Sequence, residues 1–173
     1  MRCKVFPTSA LSFNKGVNPR FFWSSRREAT EVMRAVFGAD KRTGGDLYIK
    51  GQKVNPRSPQ EALRHGIGLI SENRKTEGFV PIMSNAMNMA LASLSSFYKG
   101  GRLNQGLITK SFQHFGNQVQ LNIMDPDYLT QNLSGGNQQK VILAKWLATD
   151  VDILIFDEPT KAWMWARKQR STP

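Results

Sequence analysis

The chain has 173 residues, 40% hydrophobic, 21% charged and 10% aromatic, values that fit a folded globular protein and exclude wholesale disorder. A single cysteine, Cys3, excludes an internal disulfide framework, and no apolar run approaches the roughly 18–20 residues of a membrane-spanning helix. The net charge is +11, yet residues 1–27 and 161–173 hold ten of those charges and no acidic residue, so 28–160 is close to neutral. Arg2 and Lys4 precede no clean apolar core before Asn14, so a secretory signal is not expected and a cytoplasmic chain is.

Residues 1–27 show no convincing period. Thr30 to Phe37 predicts a short helix with Val32, Met33, Val36 and Phe37 on its apolar side, ended by Gly38. Asp46 to Val54 predicts a small hairpin around Gly51. Ser58-Pro-Gln-Glu61 is a helix start, with an N-cap serine, a proline at the first helical position and an acid in the first turn; that helix should end near His65-Gly66. Ile67 to Ser71 predicts a short buried strand, and Glu72 to Gly78 a polar loop.

Apolar spacing predicts helix over 84–121, through Met87, Met89, Leu91 and Leu94, then Leu107, Ile108, Phe112, Phe115 and Val119. Asp125-Pro126-Asp127 breaks the pattern, and a further helix follows Ser134 through Val141, Ile142, Ala144, Lys145 and Leu147. Asp152 to Phe156 is a continuous apolar run closed by Asp157-Glu158-Pro159, the composition of a strand buried on both faces in a parallel sheet.

Two motifs carry chemistry. In Leu133-Ser-Gly-Gly-Asn-Gln-Gln-Lys140 a serine and two glycines open a helix. Unpaired N–H groups and the helix dipole favour an anion there, and glycines let the backbone come close to a phosphate. An ordinary N-cap with a glycine turn is the competing reading. In Ile153-Leu-Ile-Phe-Asp-Glu-Pro-Thr160 two adjacent carboxylates end an apolar strand, the place where α/β sheets bind ligands. There Asp157 could hold Mg²⁺ and Glu158 could orient an attacking water, against the alternative of a polar strand end before a proline turn.

Together the two motifs resemble the nucleotide-binding domain of ABC transporters. Thr30 to Gly38, Gly44-Gly-Asp46, Gly66 to Lys75 and Leu133 to Lys140 are similar to the second, C-terminal domain of the tandem ATPases of sugar importers of the ribose, galactose and xylose type. The resemblance covers about residues 28–160. It implies an α/β fold, an incomplete RecA-like P-loop ABC ATPase domain with a helical subdomain inserted at about 79–149. It implies ATP and Mg²⁺ as cofactors. Leu133, Ser134, Gly135, Gly136, Gln138 and Thr30 would then bind the nucleotide, with the Ser134–Gly136 edge meeting the γ-phosphate held by an opposite domain. Asp157 would be the metal ligand and Glu158 the catalytic glutamate. Glu72 to Lys75 would lie where ABC domains place the glutamine loop, which reports nucleotide state to the membrane subunit. The implied partners are transmembrane permease subunits, a periplasmic sugar-binding protein and a second nucleotide-binding domain, at the cytoplasmic face of the membrane, with no nucleic acid.

The family's glycine-rich phosphate loop should precede the helix at 30–37, but that place reads Asn18 to Arg27 with no glycine and no suitable lysine. Intact members of this domain type often carry Arg-Thr-Glu where the loop's lysine is expected, and Thr30-Glu31 preserves the last two. Asn18-Pro-Arg-Phe-Phe-Trp23 can be encoded so that the next reading frame gives Ile-Leu-Gly-Phe-Ser-Gly, the family's strand and the start of its loop. Lys161 to Ala166 can likewise be encoded to give Gly-Val-Asp-Val-Gly, the family's stretch after Asp-Glu-Pro-Thr. The expectation is a truncated chain with frameshifted ends, 1–27 and 161–173, which also accounts for their lack of acid and for Trp23, Trp163 and Trp165. His65 and His114 lie upstream of where a switch histidine belongs, and are read as a helix-end and a helix-surface residue. Little or no ATP turnover follows from these departures. A basic nucleic-acid-binding protein is the alternative that the ends alone carry. An ABC ATPase of DNA repair or translation is another, which the sugar-importer stretches oppose.

Overall fold

A computed structural model describes residues 11–13, 26–149 and 151–157. Of the expected phosphate-loop position at 18–27, residues 18–25 lie outside the described residues, as do Glu158 and the 161–173 tail; Arg26 and Arg27 open a helix. The chain divides into two compact units, residues 1–69 with 152–173, and residues 70–151.

In the first unit, β1 (Leu11–Phe13) runs parallel to β2 (Leu47–Ile49), and β2 pairs antiparallel with β3 (Gln52–Val54). Between β1 and β2 lies α1 (Arg26–Val36), which turns Val32, Ala35 and Val36 inward at helical spacing. The hairpin predicted around Gly51 is present: Lys50 and Gly51 both take positive φ, the turn whose twist matches that of the flanking strands. The helix predicted from Ser58 is α2 (Pro59–Arg64), where the Ser58 side chain accepts the Glu61 N–H and the Glu61 carboxylate accepts the Arg57 N–H. His65 caps its C-terminal end. Next comes β4 (Ile67–Ile70), buried along its whole length.

The second unit is mainly helical. It holds α3 (Asn85–Ala90), a tight 3₁₀ stretch at Leu91–Phe97, the two-residue strands β5 (Tyr98–Lys99) and β6 (Arg102–Leu103), α4 (Gln105–Gln118) and α5 (Gly135–Leu147). The helices α3, α4 and α5 pack on one another, with Met89, Ile108, Phe112 and Val141 fully buried. The continuous helix expected over 84–121 is therefore corrected to two helices and a hairpin. Gly100 and Gly101 take positive φ and turn the chain, and Asn104 then starts α4 afresh by accepting the Leu107 N–H.

The chain returns to the first unit in β7 (Ile153–Phe156), which pairs with β4. The amides of Asp152 and Ile153 both donate to the Gly66 carbonyl, so the two strands start side by side. β7 was expected to be buried on both faces; all four of its residues are only partly buried, and β4 is its single strand neighbour among the described residues. Ile153 and Ile155 pack against a core of Val32, Val36, Leu47, Ile49, Val54, Ala62 and Ile67.

Candidate functional site

The candidate residues fall on two edges, one in each unit. On the first unit, β7 delivers Asp157 at its C-terminal end, where the carboxylate is 6% exposed. The Thr30 hydroxyl, from α1, donates to Asp157 Oδ1 at 2.6 Å. Two residues 127 positions apart thus converge because α1 and β7 share the Val32–Ile155 core beneath them. Thr30 is the carboxylate's hydrogen-bond partner among the described residues. A buried carboxylate that keeps acceptor capacity beside a hydroxyl is a hard oxygen donor set. It suits Mg²⁺, which takes one or two protein ligands and completes its shell with water and phosphate oxygens. Among the described residues no group of three or more His, Cys, Asp or Glu side chains gathers into an all-protein metal site.

On the second unit, the Leu133–Gly136 edge opens α5. Leu133 is buried and anchors it, whereas Ser134 and Gly136 are exposed. Ser134 occupies the N-cap position, but its side chain caps no backbone N–H; its oxygen instead accepts from the Asn137 side-chain amide at 3.3 Å. The first amides of α5 therefore face outward uncapped by that serine, which is the geometry of an anion site. A Cβ at Gly136 would meet nothing within 4 Å, so the surface in front of it is open. Gln138 is placed differently. It is buried, and its Nε2 donates to the Gln131 carbonyl at 3.2 Å and the Thr130 carbonyl at 3.4 Å, holding the short 3₁₀ turn that leads into the edge.

Three features of the second unit escaped the sequence reading. Arg74, at the start of a single π-helical turn (Arg74–Gly78), donates from Nη1 to the Gly135 carbonyl at 3.2 Å. Its guanidinium lies flush on Gly135, where a Cβ would fall 2.6 Å from Nη2. At the other end of the same turn, Lys145 of α5 donates from Nζ to the Gly78 carbonyl at 2.6 Å. Burial lowers the Lys145 ammonium from its usual 10.5 to about 8. The third feature is a buried amide network. Asn88 binds both the N–H and the carbonyl of Val80, and also the Met83 carbonyl and the Thr130 hydroxyl, which in turn donates to Asn85. His114 is exposed on α4 beside Gln118.

A protein-family profile described as "ABC transporter" matches residues 29–161. The chain is 42% identical over 132 residues to the ribose import ATP-binding protein RbsA of Lacticaseibacillus paracasei, covering 76% of this chain and 26% of that one. It is 44% identical over 133 residues to a putative ribose/galactose/methyl galactoside import ATP-binding protein of Burkholderia lata, with the same coverage. The chain thus spans about a quarter of the length of the curated relatives it matches. Among solved structures, the dimeric structure of MJ0796, a bacterial ABC transporter cassette, aligns with a TM-score of 0.64 at 24% identity over 82% of this chain and 61% of that one. The structure of cbiO1 from Clostridium perfringens, part of the ABC transporter complex cbiONQ, aligns with a TM-score of 0.58 at 18% identity, over 80% of this chain and 52% of that one. These two likenesses establish the ABC ATPase fold.

Proposed function

The chain belongs to the ABC transporter family, and from that premise we propose that it is the ATP-binding part of a sugar importer, coupling ATP binding and hydrolysis to carbohydrate uptake. The observation that carries this reading is the 2.6 Å contact of the Thr30 hydroxyl with the buried Asp157 carboxylate at the end of β7. The matched relatives named as ribose import proteins support the sugar class.

In this reading Asp157 and Thr30 hold Mg²⁺ with ATP. The cation, when bound, neutralises the charge that builds on the transferred phosphoryl group. Asp157 is held by Thr30, so its second oxygen is presented without a search over rotamers. Glu158, the next residue, orients the attacking water and accepts its proton. The Leu133–Gly136 edge of α5 serves the ATP of a second nucleotide-binding domain: Ser134 offers its hydroxyl and Gly136 its amide to the γ-phosphate. Permease subunits and a periplasmic sugar-binding protein are the remaining partners, with the chain at the cytoplasmic face of the membrane. No helix among the described residues is long and apolar enough to cross a membrane.

Turnover by this chain is weak, because the glycine-rich loop that supplies most phosphate contacts in P-loop ATPases is replaced by Asn18 to Arg27. A frameshift around 18–27 would account for that replacement and a second around 161–166 for the altered tail, and resequencing those codons checks both. Calorimetric titration of the full chain with ATP, with and without Mg²⁺, tests the cation site. Binding should strengthen with Mg²⁺, and Asp157→Asn should abolish that strengthening. An Asp157→Asn chain with an unchanged Mg²⁺ response sinks the assignment. Rapid hydrolysis that disappears in Glu158→Gln would overturn the prediction of weak turnover.

A further inference from the structure

The Arg74–Gly78 turn is attached to α5 at both of its ends. Arg74 donates to the Gly135 carbonyl at the first residue of α5. Nearly three turns further along the helix, Lys145 donates to the Gly78 carbonyl. Between these bonds the backbone lies directly on the helix: a Cβ at Gly78 would fall 2.5 Å from Ile142 Cδ1, and a Cβ at Gly135 would fall 2.6 Å from the Arg74 guanidinium. Gly78 is buried, and the Arg74 side chain is half-buried. Both glycines are therefore points of close approach that a side chain would fill.

The carbonyl of Gly135 belongs to the first turn of α5, and its peptide plane fixes the direction of the following amide, that of Gly136. A guanidinium bound to that carbonyl sets the plane and adds a positive charge beside the helix start. We propose that Arg74 is a positioning residue for the Leu133–Gly136 edge, and that Lys145, through Gly78 and the π-helical turn, holds Arg74 in place. The chain of contacts runs Lys145, Gly78, Arg74, Gly135, all within residues 70–151. It makes the polar loop at 72–75 and the start of α5 one mechanical body, so a displacement of that loop is passed to the edge. This deepens the proposed function and rests on it only in taking the edge as the phosphate-facing one.

Hydrogen exchange read by mass spectrometry on the full chain tests the proposal. Without nucleotide, Arg74→Ala should speed exchange of the hydrogen-bonded amides of the first turn of α5, from Gln138 to Val141, about tenfold, the scale of losing one charge-assisted bond. Lys145→Met should speed the same amides severalfold, although it lies at the far end of the helix. The double variant should be no faster than Arg74→Ala alone, because both act through one contact. Arg74→Lys, which keeps a charged donor but loses the flat fork over Gly135, should fall between wild type and alanine, and it serves if the alanine variant does not fold. Unchanged exchange at 138–141 in Arg74→Ala or Arg74→Lys overturns the proposal, as does a double variant whose effect is the product of the singles. Mg-ATP separates this from the functional reading. Wild-type exchange at 134–138 that ignores Mg-ATP in the presence of an intact second nucleotide-binding domain counts against a nucleotide-facing edge, while the nucleotide-free comparison still decides the role of Arg74.

Discussion

Replacing Lys145 by methionine should remove a pH-dependent part of the protein's stability. The Lys145 side chain is half-buried, its bonding partner is the neutral Gly78 carbonyl, and loss of solvent around the ammonium lowers its pKa from 10.5 to about 8. The sign follows from which state holds the proton. Below pH 8 the folded and unfolded chains both carry it, so the full cost of burying the charge is present. Between pH 8 and 10.5 the folded chain has released the proton and the unfolded chain has not, so stability rises with pH. Each pH unit inside that window is worth about 1.4 kcal/mol. From pH 7.5 to 9.5 about one and a half units lie inside it, which gives about 2 kcal/mol. Methionine keeps most of the volume and loses both the charge and the bond to Gly78, a loss of about 1 kcal/mol that does not depend on pH. Urea unfolding of both chains at pH 7.5 and pH 9.5, followed by circular dichroism, isolates the effect as a difference of differences. Wild type should gain about 2 kcal/mol on the variant between the two pH values. A gap that stays constant to within about 0.5 kcal/mol would refute the buried-ammonium argument.

Other perturbations test separate parts of the structure. Asn88→Ala leaves the part-buried Val80 amide without its acceptor and the Thr130 hydroxyl with its bond to Asn85 alone; it should cost about 2–3 kcal/mol in urea unfolding, with faster exchange over 80–84. Gly78→Ala should cost about 1–3 kcal/mol through its clash with Ile142 Cδ1, and Ile142→Val, which deletes that methyl, should recover part of the loss in the double variant. Thr30→Val keeps the shape of α1 but removes the donor to Asp157; it should cost about 1–2 kcal/mol and weaken the Mg²⁺ dependence of ATP binding seen by calorimetry.

Local chemistry made several elements legible. Ser58-Pro59 starts α2, Lys50-Gly51 turns the β2–β3 hairpin, and the apolar run before Asp157 is the strand β7. Each depends on a few neighbouring residues whose backbone preferences agree. The interruption between α3 and α4 was lost because apolar residues happen to keep helical spacing on both sides of it; the pair Gly100-Gly101 was the available signal. The burial of β7 was overread for a related reason: an apolar run states what a strand tolerates, and the neighbours it packs against decide what is covered.

The site shows the same division more sharply. Thr30 and Asp157 were each marked by a motif, but nothing in their spacing says that one hydroxyl meets one carboxylate across 127 positions; only the shared core under α1 and β7 does that. Arg74 stood within a charged run that reads equally well as a solvated loop, and its role emerges only because Gly135 has no side chain to keep it away. Lys145 did leave a trace. It sits four residues after the buried Val141, on a helix whose neighbouring positions Ile142 and Ala144 are buried, where a charged side chain must find a partner or lose its proton. The structure supplies the partner in the Gly78 carbonyl. Buried Gln138, spent on the carbonyls of Thr130 and Gln131, belongs to the same support. The exposed atoms of Ser134 and Gly136 are thus held from beneath by Leu133 and Gln138 and from the side by Arg74, so substitutions outside the Leu133–Gly136 edge should still move it.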